Sequence, residues 1–212
     1  MTVGKERSQT GAEVYTDTLT YLPSQPPADA ASSSHFSLSM KTRVVVIAIG
    51  GGTCSGKTTL AKQLSRVLPN CSLLNQDRYC IHEKNLPLHP IHNVPDPDEA
   101  ETAIDWPGFR TGFEQLVKHG RAQEMTFNIV DVDSLSSFGY LPQPVLDRWR
   151  DRFLKIQDQW LSRGVRIEWR LVEGFIVFHD SNLMNSMDVK LFVRTAGRIM
   201  EARREFRVFD NG

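Results

Sequence analysis

Long hydrophobic runs, net charge and paired cysteines are all missing from this 212-residue sequence. Its longest uninterrupted apolar run, Val44 to Ile49, is far short of the ~20 residues that cross a bilayer. The first residues show no basic segment followed by an apolar one, so neither a secretory signal nor a membrane partner is expected. Twenty-five basic residues balance twenty-five acidic ones. With no net field to hold nucleic acid or an anionic membrane, anion binding has to be local. Cys54, Cys71 and Cys80 are odd in number and lack C-x-x-C spacing, which fits a reducing, cytoplasmic compartment better than a disulfide framework. The length suits the core of one domain plus a tail.

What is present centres on Gly50-Gly51-Gly52-Thr53-Cys54-Ser55-Gly56-Lys57-Thr58-Thr59, which follows directly on an apolar stretch. From Gly51 to Thr58 the pattern G-x-x-x-x-G-K-[ST] is met in full. Glycines let the backbone turn with its amide hydrogens inward, forming a nest for phosphate oxygens at the start of a helix. Lys57 is placed to reach the β and γ phosphates. The Thr58 hydroxyl suits Mg²⁺, which takes oxygen ligands and keeps several waters. The competing reading is a glycine-rich turn of no chemical consequence, but both the preceding strand and the following helix are those the motif requires.

Around this loop the periodicity predicts an α/β chain. Met1 to Met40, with Pro23, Pro26, Pro27 and Ser32 to Ser34, buries too little to offset its ordering entropy and reads as a disordered tail, with a short strand around Val14 to Tyr21 as the alternative. Residues 41–212 form the predicted domain. Lys41 to Ile49 is a central parallel strand by its unalternating valines and isoleucines. Leu60, Leu64, Val67 and Leu68 recur at helical spacing up to Pro69, and Cys71 to Asn75 is the next strand. This β-α-β start predicts a parallel sheet flanked by helices. Further along, Phe109, Phe113, Leu116 and Val117 mark a short amphipathic helix. Met125 to Val132 reads as a strand, Ser134 to Pro144 as loop and Val145 to Leu161 as a helix packed through its aromatic stripe. Arg166 to Val172 and Asp188 to Thr195 complete the strands, and a helix begins near Ala196.

Several polar residues fall where such sheets place their ligands, outside the carboxyl ends of the strands. Asp77 follows the second strand; it reads either as a turn cap or as a carboxylate that accepts a proton and holds Mg²⁺ through water. Glu173 ends the strand before Gly174-Phe175, again a cap or a Mg²⁺ contact. Cys80, His82, His89 and His92 can be drawn as a zinc site, but only the H-x-x-H pair has regular spacing, so a solvated loop is the stronger reading. Asp96, Asp98, Glu99, Glu101 and Asp105 are either helix-start carboxylates or the source of a grip on a ribose diol. Glu201 with Glu205 and Arg203 with Arg207 place like charges four residues apart, which repel unless a polyphosphate joins the arginines. Together these features describe phosphoryl transfer, in which the protein positions groups and neutralises charge. A GTPase switch is the rival class, and neither N-K-x-D nor a strand followed by D-x-x-G occurs.

The run Ile47 to Lys62, then Leu68-Pro69-Asn70-Cys71-Ser72, Asn75-Gln76-Asp77, Leu171-Val172-Glu173-Gly174-Phe175 and Arg203-Arg204-Glu205-Phe206-Arg207-Val208-Phe209, resembles nicotinamide riboside kinase, within the uridine kinase-like P-loop kinases. These blocks span most of Arg43 to Phe209 in order. The resemblance implies a P-loop NTPase-type parallel sheet and transfer of the ATP γ-phosphoryl to the ribose 5′-hydroxyl of nicotinamide riboside, with Mg²⁺ as cofactor and ATP and the nucleoside as small-molecule partners. It implies Asp77 as proton acceptor near Mg²⁺ and Thr58 as Mg²⁺ ligand. Arg203 and Arg207 match arginines that contact the nucleotide, and Arg204 one that faces the substrate. Asp98 is the nearest match to the ribose-binding carboxylate, with Asp105 next; Arg78 and Tyr79 border the same substrate side. Two positions depart from the pattern: Arg78 replaces a second acidic residue, and Pro97 an aromatic that would stack on the base. The sequence ends at Asp210-Asn211-Gly212, where the family continues into a lid, a strand and a closing helix, so the edge strand and lid are expected to be incomplete. Two alternatives stand beside this reading: a uridine- or pantothenate-type kinase, and a catalytically weak nucleotide-binding remnant.

Overall fold

The computed structural model describes residues 12–15, 40–96, 99–120 and 141–205. Its strands are β1 (Ala12–Tyr15), β2 (Lys41–Gly51), β3 (Cys71–Asn75), β4 (Val165–Gly174) and β5 (Val189–Thr195). They form one sheet in the order β1-β5-β2-β4-β3. The pairs β2/β4, β2/β5 and β3/β4 are parallel, which bears out the expected α/β class. β1 adds an antiparallel edge against β5, with Ala12 opposite Thr195. That strand falls at the start of the range considered for the alternative reading of the tail. The rest of the expected tail, the expected strand Met125 to Val132 and most of the loop after it lie outside the described residues.

The helices are α1 (Lys57–Val67), α2 (Ala100–Ala103), α3 (Trp106–His119), α4 (Gln143–Leu161), α5 (Ser181–Asn185) and α6 (Gly197–Glu205). β2 shows why the sheet is covered twice. Val46 and Ala48 enter one cluster with Phe109, Phe113 and Leu116 of α3. Val45, Ile47 and Ile49 enter the other, with Ala61 of α1 and Phe153, Ile156 and Trp160 of α4 packed against it. An apolar run without alternation is what a strand buried on both faces requires. The aromatic stripe of α4 packs as expected, with Phe153 edge-on to Trp169 at 5.7 Å between centroids. α4 starts earlier than expected, at Gln143, because Pro144 sits in the first turn, where its missing N–H costs nothing.

α3 is longer than its apolar spacing suggests. Asp105 caps it by accepting from Gly108 N at 3.0 Å, and Gly120, with φ 67, ends it. Arg170, almost fully buried in β4, donates through Nε to Leu116 O at 2.8 Å and pairs with Glu168. A charge in the core is tolerated there because its donors are met by the carbonyls of Leu116 and Trp169 and by the Glu168 carboxylate. Where β5 meets β2 the ladder is extended by a side chain: Asp188 Oδ2 accepts from Val46 N at 2.8 Å, while Asp188 N donates to Val46 O at 2.9 Å. Among the described residues no helix is long and apolar enough to cross a membrane.

Candidate functional site

The chain leaves β2 for α1 through Gly52–Gly56, between neighbours β4 and β5, which lie on opposite sides of β2. This is the crevice position at which open parallel sheets bind ligands. Two features make the loop tight. Cys54 has φ 61 and Gly56 φ 103, a left-handed stretch that turns amide groups to one side. Gly51 (φ 149) lies so close to β5 that a Cβ there would sit 2.5 Å from Val193 O and 2.9 Å from Ser55 Oγ.

Three elements hold the loop from outside. Thr195, at the end of β5, donates through Oγ1 to Ser55 O at 2.8 Å. Arg203 of α6 donates through Nη1 to Cys54 O at 3.1 Å and to Ser55 O at 3.5 Å. Lys57, buried at the start of α1, reaches back to Gly52 O at 3.4 Å. Ser55 Oγ is buried without a hydrogen-bond partner among the described residues. A cation and a hydroxyl buried with so few acceptors suit an anionic guest.

Beside the loop, Thr58 Oγ1 donates to both oxygens of Glu173, at 3.0 and 3.2 Å. Glu173 is fully buried. It is a hydroxyl-bonded carboxylate rather than a helix cap, and its oxygens and the Thr58 hydroxyl form a hard donor pair suited to Mg²⁺. Register then places Asp77: Asn75 is opposite Glu173 in the β3/β4 ladder, and Asp77 lies two residues on, in the 3₁₀ turn Gln76–Tyr79. Asn75, not Asp77, caps that turn, accepting from Asp77 N at 2.7 Å. The half-buried Asp77 carboxylate is thereby left out of the cap.

The other expected site residues divide. Arg78 is exposed next to Asp77, and Arg204 is exposed on α6. Tyr79 is in the core, its ring 5.4 Å from Phe109 and its hydroxyl against Gly112, where no Cβ could fit. Burial raises its pKa; Arg78 opposes that and Asp105 adds to it. Asp98, Pro97 and Arg207 lie outside the described residues. Of the remaining acidic residues, Asp105 caps α3, and Glu101 pairs with His179 at 3.1 Å. In the loop with the histidines, His82 Nδ1 accepts from Lys84 N at 3.2 Å and His89 Nδ1 from Ile91 N at 3.2 Å. Among the described residues no group of three or more His, Cys, Asp or Glu could hold a metal ion. Burial pushes the thiols of Cys71 and Cys80 up to about 12 and about 11, Arg170 opposing the first and Asp77 adding to the second.

Sequence reasoning missed Thr195, a single hydroxyl at a strand end with no motif to mark it. It also missed Asp180, although Asp-Ser-Asn-Leu is a recognisable helix start. Asp180 caps α5, accepting from Asn182 N at 2.9 Å, and receives Arg110 Nε at 2.6 Å.

The chain is similar in sequence to curated kinases of two names. The chain is 24% identical over 165 residues to the nicotinamide riboside kinase of Saccharomyces cerevisiae, covering 78% of this chain and 66% of the relative. It is 28% identical over 163 residues to that of Eremothecium gossypii, covering 77% and 64%, and 27% identical over 178 residues to the uridine kinase of Mycoplasma genitalium, covering 82% and 71%. The chain therefore spans just under two thirds of the length of the two riboside kinases. No protein-family model matches it. The likeness to kinases of these two names supports the resemblance drawn from the motifs.

Proposed function

We propose that this chain is an ATP-dependent nucleoside kinase that phosphorylates a ribose 5′-hydroxyl, with nicotinamide riboside as the acceptor and the mononucleotide, a precursor for NAD synthesis, as the product. The observation that carries this reading is the Thr58–Glu173 hydrogen bond, which ties the end of the phosphate loop to the end of β4, opposite Asn75 of β3, two residues before Asp77. In that reading Gly51, Gly52, Thr53, Cys54, Ser55, Gly56 and Thr59 wrap the triphosphate with backbone amides. Lys57 neutralises its terminal charge, which is the principal catalytic work in phosphoryl transfer. Thr58 and Glu173, with Asp77 through water, would hold Mg²⁺, which would supply positive charge against the phosphates. Asp77 accepts the proton of the attacking hydroxyl.

Arg203, which already holds the loop carbonyls, is assigned with Arg207 to the nucleotide, and Arg78, Asp98 and Arg204 are assigned to the nucleoside. Tyr79 enters as the packing anchor of the turn that carries Asp77 and Arg78. The free thiols of Cys54, Cys71 and Cys80 accord with a cytoplasmic location. Uridine is the second acceptor to consider, on the strength of the uridine kinase likeness.

The deciding experiment incubates the purified chain with MgATP and either nicotinamide riboside or uridine and follows ADP and the 5′-monophosphate. Formation of nicotinamide mononucleotide, lost in Asp77→Asn, is the expected result. Uridine monophosphate alone reassigns the acceptor. A folded chain that binds MgATP by calorimetry without turnover refutes the kinase reading and leaves a nucleotide-binding remnant.

A further inference from the structure

Gln76 is a polar residue for which the proposed chemistry has no use, yet it is wholly buried. It stands one residue past the last β3/β4 register pair, Asn75 with Glu173. Its Oε1 accepts from Ile176 N at 3.1 Å, so one side chain spans from the end of β3 to the turn that follows β4. The fit is close: a Cβ on Gly174 would lie 2.5 Å from Gln76 Cβ and 2.8 Å from its Cδ. Among the described residues Gln76 Nε2 has no hydrogen-bond partner. An apolar side chain of similar length would fill this space without burying an unpaired amide, so packing alone does not account for glutamine here.

We infer that Gln76 is a positioning residue, continuing the β3/β4 ladder through its side chain where the backbone ladder stops, and so fixing Asp77 relative to Glu173. This rests on the kinase reading for its catalytic meaning, but the contact itself can be read without turnover. Backbone pairing would leave the Gln76 turn and the Phe175 turn free to separate, because each departs from its strand at this point. The carboxamide joins them, and the missing Cβ of Gly174 is what allows it to do so.

The test uses Gln76→Met, which keeps the length and removes the acceptor, and Gly174→Ala, which forces the amide away from Ile176. In the full chain, hydrogen exchange of the Ile176 amide should quicken about tenfold or more in either variant. With MgATP and the riboside, kcat should fall about tenfold or more while KM for MgATP stays within about threefold, since the phosphate loop is held by β5 and α6 instead. The double variant should lose little beyond either single one, because both remove the same contact. Wild-type kcat in both variants overturns the inference, as does an additive loss with a matching rise in KM, the mark of general loosening. If the wild type itself does not turn over, the kinase reading fails while the Ile176 exchange still decides whether Gln76 holds the turn. Should Gln76→Met fail to fold, Gly174→Ala carries the test alone.

Discussion

Replacing Gly51 by alanine should be among the most damaging single-methyl changes available to this protein, for two reasons that add. Gly51 has φ 149, a region L residues rarely adopt, and holding alanine there costs about 1–3 kcal/mol. The new Cβ would also lie 2.5 Å from Val193 O, roughly 1 Å inside ordinary carbon–oxygen contact. That oxygen belongs to backbone paired in register with Gly51 itself, so it cannot swing aside, and overpacking adds about 1–3 kcal/mol. Together the loss is about 2–6 kcal/mol, against the 5–15 kcal/mol that typically holds a domain together. Gly50→Ala provides the contrast. Its Cβ would meet the Phe178 ring as closely, at Cε2 and, at 2.8 Å, Cδ2, but that contact is with a half-buried side chain that can rotate away, for a cost below about 1.5 kcal/mol. Gly197→Ala meets nothing within 4 Å and should be neutral or gain up to about 1 kcal/mol from helix propensity. Urea denaturation reads all three as shifts in midpoint at constant slope. A Gly51→Ala loss below about 1 kcal/mol, or one no larger than that of Gly50→Ala, would refute the claim that the loop is clamped against β5.

Two further predictions concern single polar contacts. Thr58→Val removes the hydroxyl that donates to Glu173 at 3.0 and 3.2 Å; hydrogen bonds to a charged group contribute about 1.5–3 kcal/mol. The variant should melt lower and need more MgCl₂ for half-maximal turnover, which thermal melts and a magnesium titration would show; an unchanged magnesium requirement would count against Thr58 as a ligand. At Asp180, burial raises the carboxyl pKa, but the hydrogen bond from Arg110, the Leu183 and Asn182 amides and the Arg110 charge outweigh it and leave the pKa below its ordinary value. The folded value is then lower than the unfolded one, so the stabilisation is complete above the ordinary carboxylate range and is lost as pH falls through the depressed value. Asp180→Ala should therefore cost about 1 kcal/mol at neutral pH, a gap that closes on acidification; urea midpoints that stay equally far apart in acid would contradict this.

The parallel α/β fold was legible because its signals are local. Valines and isoleucines without alternation mark β2, and Gly51 to Thr58 fix where it turns into α1. The end of β3 at Asn75 and of β4 near Glu173 could likewise be read from composition and strand length. Boundaries that depend on capping were harder. α4 starts at Gln143 and α3 runs from Trp106 because proline and an Asp105 cap suit a first turn, a matter of backbone donors that hydrophobic spacing does not record. Tyr79 shows the limit for site residues: adjacency to Asp77 suggested the substrate side, whereas α3 packs over it and turns it into core.

By itself the sequence determined the chemistry on offer, because a phosphate loop is a contiguous stretch whose glycines, lysine and threonine act through their own backbone and spacing. The meeting of Thr58 with Glu173, 115 positions apart, was left to tertiary structure. So was the grip of Thr195 and Arg203 on the loop and the span of Gln76 to Ile176. Each depends on strand order, which brings β4 and β5 to either side of β2 and β3 beside β4. That order follows from burying both faces of the sheet at once, a global packing condition that short stretches of sequence do not carry.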